Sequence, residues 1–174
     1  MKVIRRTFGF DAGHRVLEHP GKCQDFHGHR YYGEIGIRFK DESRIGYAID
    51  FGEIKQIALG AFDHFFDHGM ILNPADEGKL FFDERGKIYI MSYYEDNVFR
   101  NPTAENIATE MLCMLEVLFE DMEGLYPQYV ELYETPNCSV LVNIENLELS
   151  EISGFEYHKG NSVRVWRDTI RHTL

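Results

Sequence analysis

His29-Arg30-Tyr31-Tyr32-Gly33-Glu34-Ile35-Gly36-Ile37-Arg38-Phe39-Lys40 is the stretch on which the fold turns. Its odd positions hold His29, Tyr31, Gly33, Ile35, Ile37 and Phe39. Its even positions hold Arg30, Tyr32, Glu34, Gly36, Arg38 and Lys40. Side chains on a strand alternate between faces, so this pattern predicts a half-buried strand of an antiparallel sheet. His29 falls on the apolar phase and is expected to point inward.

Immediately upstream lies Cys23-Gln24-Asp25-Phe26-His27-Gly28-His29. If His27 and His29 open the strand, period two puts both imidazoles on one face, where two nitrogens can grip one ion. Gly28 lets the backbone pass close by. A third imidazole, His14, sits in Phe10-Asp11-Ala12-Gly13-His14-Arg15, at the end of the neighbouring strand. Three neutral imidazoles with an open fourth position match a catalytic zinc better than a structural one. Cys23 is then free to act as base or nucleophile. The alternative, Cys23 as a fourth ligand of a closed site, would leave the other polar candidates without work.

Outward from that centre, Lys2 to Phe10 reads as a strand and residues 11–28 as a loop with a Pro20-Gly21 turn. Asp50-Phe51-Gly52 precedes a helix expected from Glu53 to Phe66, with Ile54, Ile57, Ala58, Ala61, Phe62 and Phe65 on one side. The 72–101 stretch is irregular, with a turn at Glu84-Arg85-Gly86-Lys87 leading to a hairpin or a short strand. Thr103, after Pro102, is an N-cap candidate for a second helix carrying Ile107, Met111, Leu115, Leu118 and Met122, ended by Gly124. Strands follow at 128–135 and 138–147, joined at Pro136-Asn137. A short strand is expected at Ser162–Trp166. Segregated strands and helices indicate an α+β fold, with helices on one face of an antiparallel sheet.

The 174 residues suit one domain. With 29 acidic against 18 basic residues, a formal charge of −11, the chain lacks the basic footprint of a nucleic-acid binder. Arg15, Lys22 and Arg30 flank the imidazoles and could together meet a phosphorylated small molecule, although each alone reads more simply as a solvated charge. No stretch has the length of a membrane span, and the N-terminus lacks a signal-peptide pattern. Cys23, Cys113 and Cys138 have no disulfide-framework spacing. Reduced thiols and a cytoplasmic location are expected.

Three further features carry chemistry. Asp67-His68, after the first helix, offers an imidazole oriented by a carboxylate, suited to proton transfer near neutral pH. Asp63-His64 is a similar dipeptide one turn earlier. Consecutive residues do not face each other on a helix, which favours the pair beyond its end. Glu134 is in phase with Val130 and Leu132, where a buried carboxylate needs a partner. It reads equally as a strand-end residue facing solvent.

These motifs, with Ile49-Asp50-Phe51-Gly52-Glu53-Ile54-Lys55 and Pro102-Thr103-Ala104-Glu105-Asn106, resemble the 6-pyruvoyltetrahydropterin synthase family, in particular its 6-carboxytetrahydropterin synthase branch. The resemblance covers residues 1–147. It implies a T-fold domain, a four-stranded antiparallel sheet with two helices, with 148–174 an extension of unknown role. It implies subunits joining into a β-barrel, commonly a homohexamer built as a dimer of trimers. His14, His27 and His29 then correspond to zinc ligands, Cys23, Asp67 and His68 to proton carriers, and Glu134 to the anchor of the pterin's N–H edge. Thr103 and Glu105 correspond to another part of the pterin pocket. The implied substrate is 7,8-dihydroneopterin triphosphate. The three-residue gap between Cys23 and His27 resembles the carboxy branch, which releases acetaldehyde and feeds 7-deazaguanine (queuosine-type) synthesis, rather than the pyruvoyl branch, which stops at triphosphate elimination. A zinc- and pterin-holding module without turnover is the alternative from outside the enzyme class.

Overall fold

The computed structural model describes residues 2–93 and 100–172. Residues 94–99 of the irregular stretch lie outside the described residues. Strand β1 (Lys2–His14) and strand β2 (His27–Phe39) form a long antiparallel ribbon. Both are longer at the loop end than the sequence pattern indicated, so His14 and His27 are strand residues facing each other in register. Helix α1 (Phe51–Ile54) runs through a π-helical stretch (Lys55–Leu59) into helix α2 (Gly60–Phe65). Its start is set by Asp50, whose Oδ1 accepts the Gly52 N–H at 2.6 Å.

Next come strand β3 (Gly69–Leu72), helix α3 (Gly78–Phe82) and strand β4 (Lys87–Ile90). Helix α4 (Ala104–Phe119) is capped by Thr103, whose hydroxyl accepts the Asn106 N–H. It ends earlier than expected: Met122 lies beyond it, and Gly124, at φ +82, makes the left-handed turn into strand β5 (Leu125–Thr135). Strand β6 (Cys138–Asn143) returns antiparallel.

The sheet order is β4-β3-β1-β2-β5-β6. The expected four antiparallel strands are β1, β2, β5 and β6. The sheet is nevertheless six-stranded and mixed, because β3 and β4 add in parallel at the free edge of β1 beside Ala12–His14. An unpaired edge offers a row of main-chain donors and acceptors, and two four-residue strands suffice to cover its last part.

The C-terminal segment also departs from the sequence pattern. Ser162–Trp166 is not a strand. It belongs to helix α6 (Asn161–Arg171), which follows helix α5 (Leu149–Phe155) through a π-helical stretch. Phe155 and Val163 from these helices join the core.

One face of the sheet carries that core. Phe10 stacks on Tyr31 (centroids 4.9 Å apart) and on Phe66 (5.6 Å), while Phe8 meets Phe62 edge-on at 5.0 Å. Phe10, Tyr31, Phe62 and Phe66 are fully buried. Side chains of this size contribute about 1.5–3 kcal/mol each on burial. This aromatic block fixes β1 and β2 against the helices, and the imidazoles lie just beyond its end.

Candidate metal centre

His14, His27 and His29 project from the core-side face of the β1–β2 ribbon. One ligand nitrogen from each lies within 4.8 Å of the others. Ring centroids are 4.5 Å apart for His14–His27, 5.2 Å for His14–His29 and 5.0 Å for His27–His29. His14 Nδ1 lies 2.6 Å from the Pro102 carbonyl, and His27 Nδ1 lies 2.8 Å from the Asp25 carbonyl. A carbonyl only accepts, so each Nδ1 carries a proton, and in the neutral ring Nε2 then keeps its lone pair. Outer bonds of this kind orient a metal-binding imidazole.

The His14 Nε2 atom is buried and has no hydrogen-bond partner among the described residues. An orphaned buried acceptor is costly. Burial lowers the His14 pKa to about 4, against the raising effect of the Pro102 bond, and the neighbouring imidazoles lower it further. Burial also lowers the His29 pKa, opposed by Glu134 and aided by His27. Neutral imidazoles with converging lone pairs fit a divalent cation such as zinc.

Glu134 joins the group. Its Oε1 lies 3.4 Å from His14 Nε2 and 3.9 Å from His29 Nε2. With His14 held neutral, the closer contact is not an ion pair. Glu134 keeps the inward phase of Val130 and Leu132. A cleft of about 540 Å³ touches it and His29 together with Arg30, Tyr32 and Tyr133 of the opposite phase, and neither His14 nor His27 lines it. That size suits a small organic ligand. A larger groove, about 840 Å³ between Phe8, Lys55, His64 and Trp166, contains none of the three imidazoles.

Cys23 lies half-buried on a 3-10 turn between β1 and β2, its carbonyl accepting the Val16 N–H at 2.7 Å. Asp67 Oδ1 accepts the Asp11 N–H at 2.8 Å, and Asp67 Oδ2 lies 2.5 Å from His68 Nδ1. Burial would raise the Asp67 pKa, but the bonds from Asp11 and His68 outweigh it and hold the carboxyl below its usual range. His68 has φ +56 and a side chain 79% exposed. It borders a shallow hollow with Asp11, Gly13 and His29. Asp63 and His64 differ: both are exposed on α2, and His64 packs against Phe65 and Trp166. Thr103 and Glu105 open α4, next to the Pro102 carbonyl that holds His14.

Two of the three flanking cations are already engaged. Arg15 pairs with Asp76, and Arg30 pairs with Asp11 at 2.7 Å. Tyr31 was not singled out from sequence. Its hydroxyl is buried without a partner among the described residues, its ring lies 6.0 Å from His14 and 5.7 Å from His29, and burial together with Glu134 pushes its pKa up. Its place on the phase of His29 was the available signal.

The family model for 6-pyruvoyl tetrahydropterin synthase matches residues 3–145. The chain belongs to this family. A Rickettsia conorii relative named 6-carboxy-5,6,7,8-tetrahydropterin synthase is 42% identical over 140 residues, covering 79% of this chain and 96% of the relative. A Haemophilus influenzae relative of the same name is 32% identical over 142 residues, covering 78% and 94%. Among solved structures, an uncharacterized Wolinella succinogenes protein aligns with TM-score 0.62 at 20% identity, covering 82% of this chain and 98% of that one. The Caenorhabditis elegans 6-pyruvoyl tetrahydropterin synthase aligns with TM-score 0.58 at 21% identity, covering 82% and 94%. At these identities the structures support the family's fold.

Proposed function

We propose that this protein is a zinc-dependent 6-carboxytetrahydropterin synthase. It converts 7,8-dihydroneopterin triphosphate and one water to 6-carboxy-5,6,7,8-tetrahydropterin, acetaldehyde and triphosphate, for 7-deazaguanine synthesis. The observation that carries the reading is the convergence of three imidazoles beside Glu134. The relatives' names and the short Cys23–His27 spacing favour the carboxy product over the pyruvoyl one.

His14, His27 and His29 would hold zinc, which when bound supplies Lewis-acid polarisation of the substrate's side-chain hydroxyls. Glu134 accepts two N–H bonds from the pterin's amino and ring nitrogens, a match of two donors to two oxygens. Thr103 and Glu105, at the start of α4, are assigned to another part of the pterin pocket. Cys23 takes and returns a proton at the three-carbon side chain. His68, oriented by Asp67, handles the second proton. The ring is reduced at the side chain's expense, with no nicotinamide. Residues 1–147 form the catalytic unit and 148–174 an added segment. The assembly is a homohexamer in the cytoplasm, with sheet edges joined into a barrel.

The test is metal analysis of the purified protein, followed by incubation with 7,8-dihydroneopterin triphosphate and identification of products. Acetaldehyde together with 6-carboxytetrahydropterin is expected. Triphosphate release with a pyruvoyl product would reassign the branch, and pterin binding without any product would leave a binding module.

A further inference from the structure

The loop between β1 and β2 is held from outside at both ends. At its start, Arg15 grips Asp76 through two bonds, Nε to Oδ2 at 2.8 Å and Nη2 to Oδ1 at 2.5 Å. At its end, the Phe26 ring lies under the same guanidinium, 4.1 Å from centroid to Arg15 Cζ. Phe26 also meets α3: Phe82 lies edge-on at 5.3 Å, and a Cβ on Gly78 would strike the Phe26 ring at 2.6 Å. Asp76, Gly78 and Phe82 thus make one short clamp that touches both ends of the loop.

The middle is tied as well. Val16 bonds Cys23 directly, and Leu17 exchanges two hydrogen bonds with the Asn101 side chain, itself held by Asn73. Glu18 is held at φ +64, a left-handed conformation that a non-glycine residue keeps when its surroundings over-determine it. Asp76 is fully buried. Burial alone would raise its pKa, but the bonds from Arg15 and Gly78 outweigh that and hold the carboxyl below its usual range. A buried, charged, bidentate pair is strongly directional, and removing one partner leaves the other uncompensated.

We propose that Asp76 is a positioning residue: through Arg15 and Phe26 it fixes both ends of the loop that presents Cys23, and so sets where the thiol stands relative to the three imidazoles. The proposal deepens the functional reading above and rests on it for the role of Cys23. His14 and His27 are held separately, by strand pairing and by the Pro102 and Asp25 carbonyls. The metal site therefore survives loosening of the loop.

The test uses the full chain loaded with zinc and compares wild type with Asp76→Asn, with Phe26→Leu, and with Asp83→Asn as a control on the exposed end of the same segment. Brief iodoacetamide labelling and mass spectrometry give the alkylation of Cys23 relative to exposed Cys138 in the same molecule. Buried Cys113 reports loss of the fold. Asp76→Asn and Phe26→Leu are each expected to shift the Cys23 to Cys138 ratio by roughly threefold or more and to lower kcat by about 10–100-fold, with KM and zinc content little changed. Asp83→Asn leaves all of these at wild-type values. If Asp76→Asn exposes Cys113, Phe26→Leu decides alone. An unchanged Cys23 ratio in a folded variant overturns the proposal. Absence of product from wild type would sink the functional reading instead, while the labelling ratio still decides the clamp.

Discussion

His14 Nδ1 sits 2.6 Å from the Pro102 carbonyl, 88 positions away in sequence, and this bond leaves the buried Nε2 as a bare acceptor beside two other imidazoles. The start of α4 therefore selects the tautomer that a metal needs. One zinc per chain is expected by titration against a chelating indicator. Replacing His14, His27 or His29 with Ala should weaken binding by more than the roughly 10–100-fold typical of losing an outer-shell partner. A wild-type chain that takes up no zinc would remove the metal centre.

Cys23 is on a turn rather than on either ligand strand, so its removal should leave the imidazoles in place. Cys23→Ala is expected to keep zinc and lose turnover on the pterin substrate. Unchanged turnover would take the thiol out of the mechanism. His68→Ala should behave likewise, because its ring is exposed and bonded to Asp67 rather than packed in the core.

The metal cluster was legible because strand period two fixes His27 and His29 on one face, and register then brings His14 opposite His27. The Asp76 clamp was not legible, because its parts are 61 positions apart and Arg15 alone reads as a solvated charge. Strand β3 is four residues, too short for alternation to declare itself, whereas the turn at residues 84–87 announced the equally short β4. Val163 and Val165 imitate a strand over five residues. The helical spacing that matters is Val163 to Arg167, both buried, with Val165 exposed between them.

Glu110 sets a pH dependence. Burial raises its pKa, against the bonds it accepts from Tyr89 Oη (2.5 Å), Ser92 N (2.5 Å) and Ser92 Oγ (3.1 Å) and against the charge of Lys159. The unfolded chain releases this proton near pH ~4.3, whereas the folded chain holds it to higher pH. In that window the folded state binds more protons, so this group's contribution to stability falls as pH rises through it. Glu110→Gln has no such proton. Its stability relative to wild type should therefore climb from about pH 4 upward in urea unfolding. Parallel profiles for the two proteins would contradict the assignment.

Gly33 marks a close approach in the sheet. A Cβ there would lie 2.4 Å from Phe8 Cζ and 2.5 Å from the Glu131 carbonyl oxygen. The carbonyl belongs to a paired strand and cannot swing aside. Gly33→Ala should lower stability by about 1–3 kcal/mol, as overpacking does. A melting temperature equal to wild type would mean the β2–β5 pairing is looser than described.

Arg167 and Arg164 separate burial from charge in the docking of α6. Arg167 is 7% exposed; it donates to the Val117 carbonyl at 3.1 Å, to Glu120 at 2.9 Å and to Asp168 at 3.0 Å. Arg164 also binds Glu120, at 2.6 and 2.7 Å, but its side chain is 33% exposed. Water reaches the Arg164 guanidinium and is largely excluded from that of Arg167, although the two share the part-exposed Glu120. Arg167→Ala should cost about 1–3 kcal/mol, since it removes a buried guanidinium that donates to the Val117 carbonyl, and Arg164→Ala no more than about 1 kcal/mol. Urea unfolding of the two variants reads the difference. Equal losses would mean that the exposed bonds, and not the buried guanidinium, hold the C-terminal helices to α4.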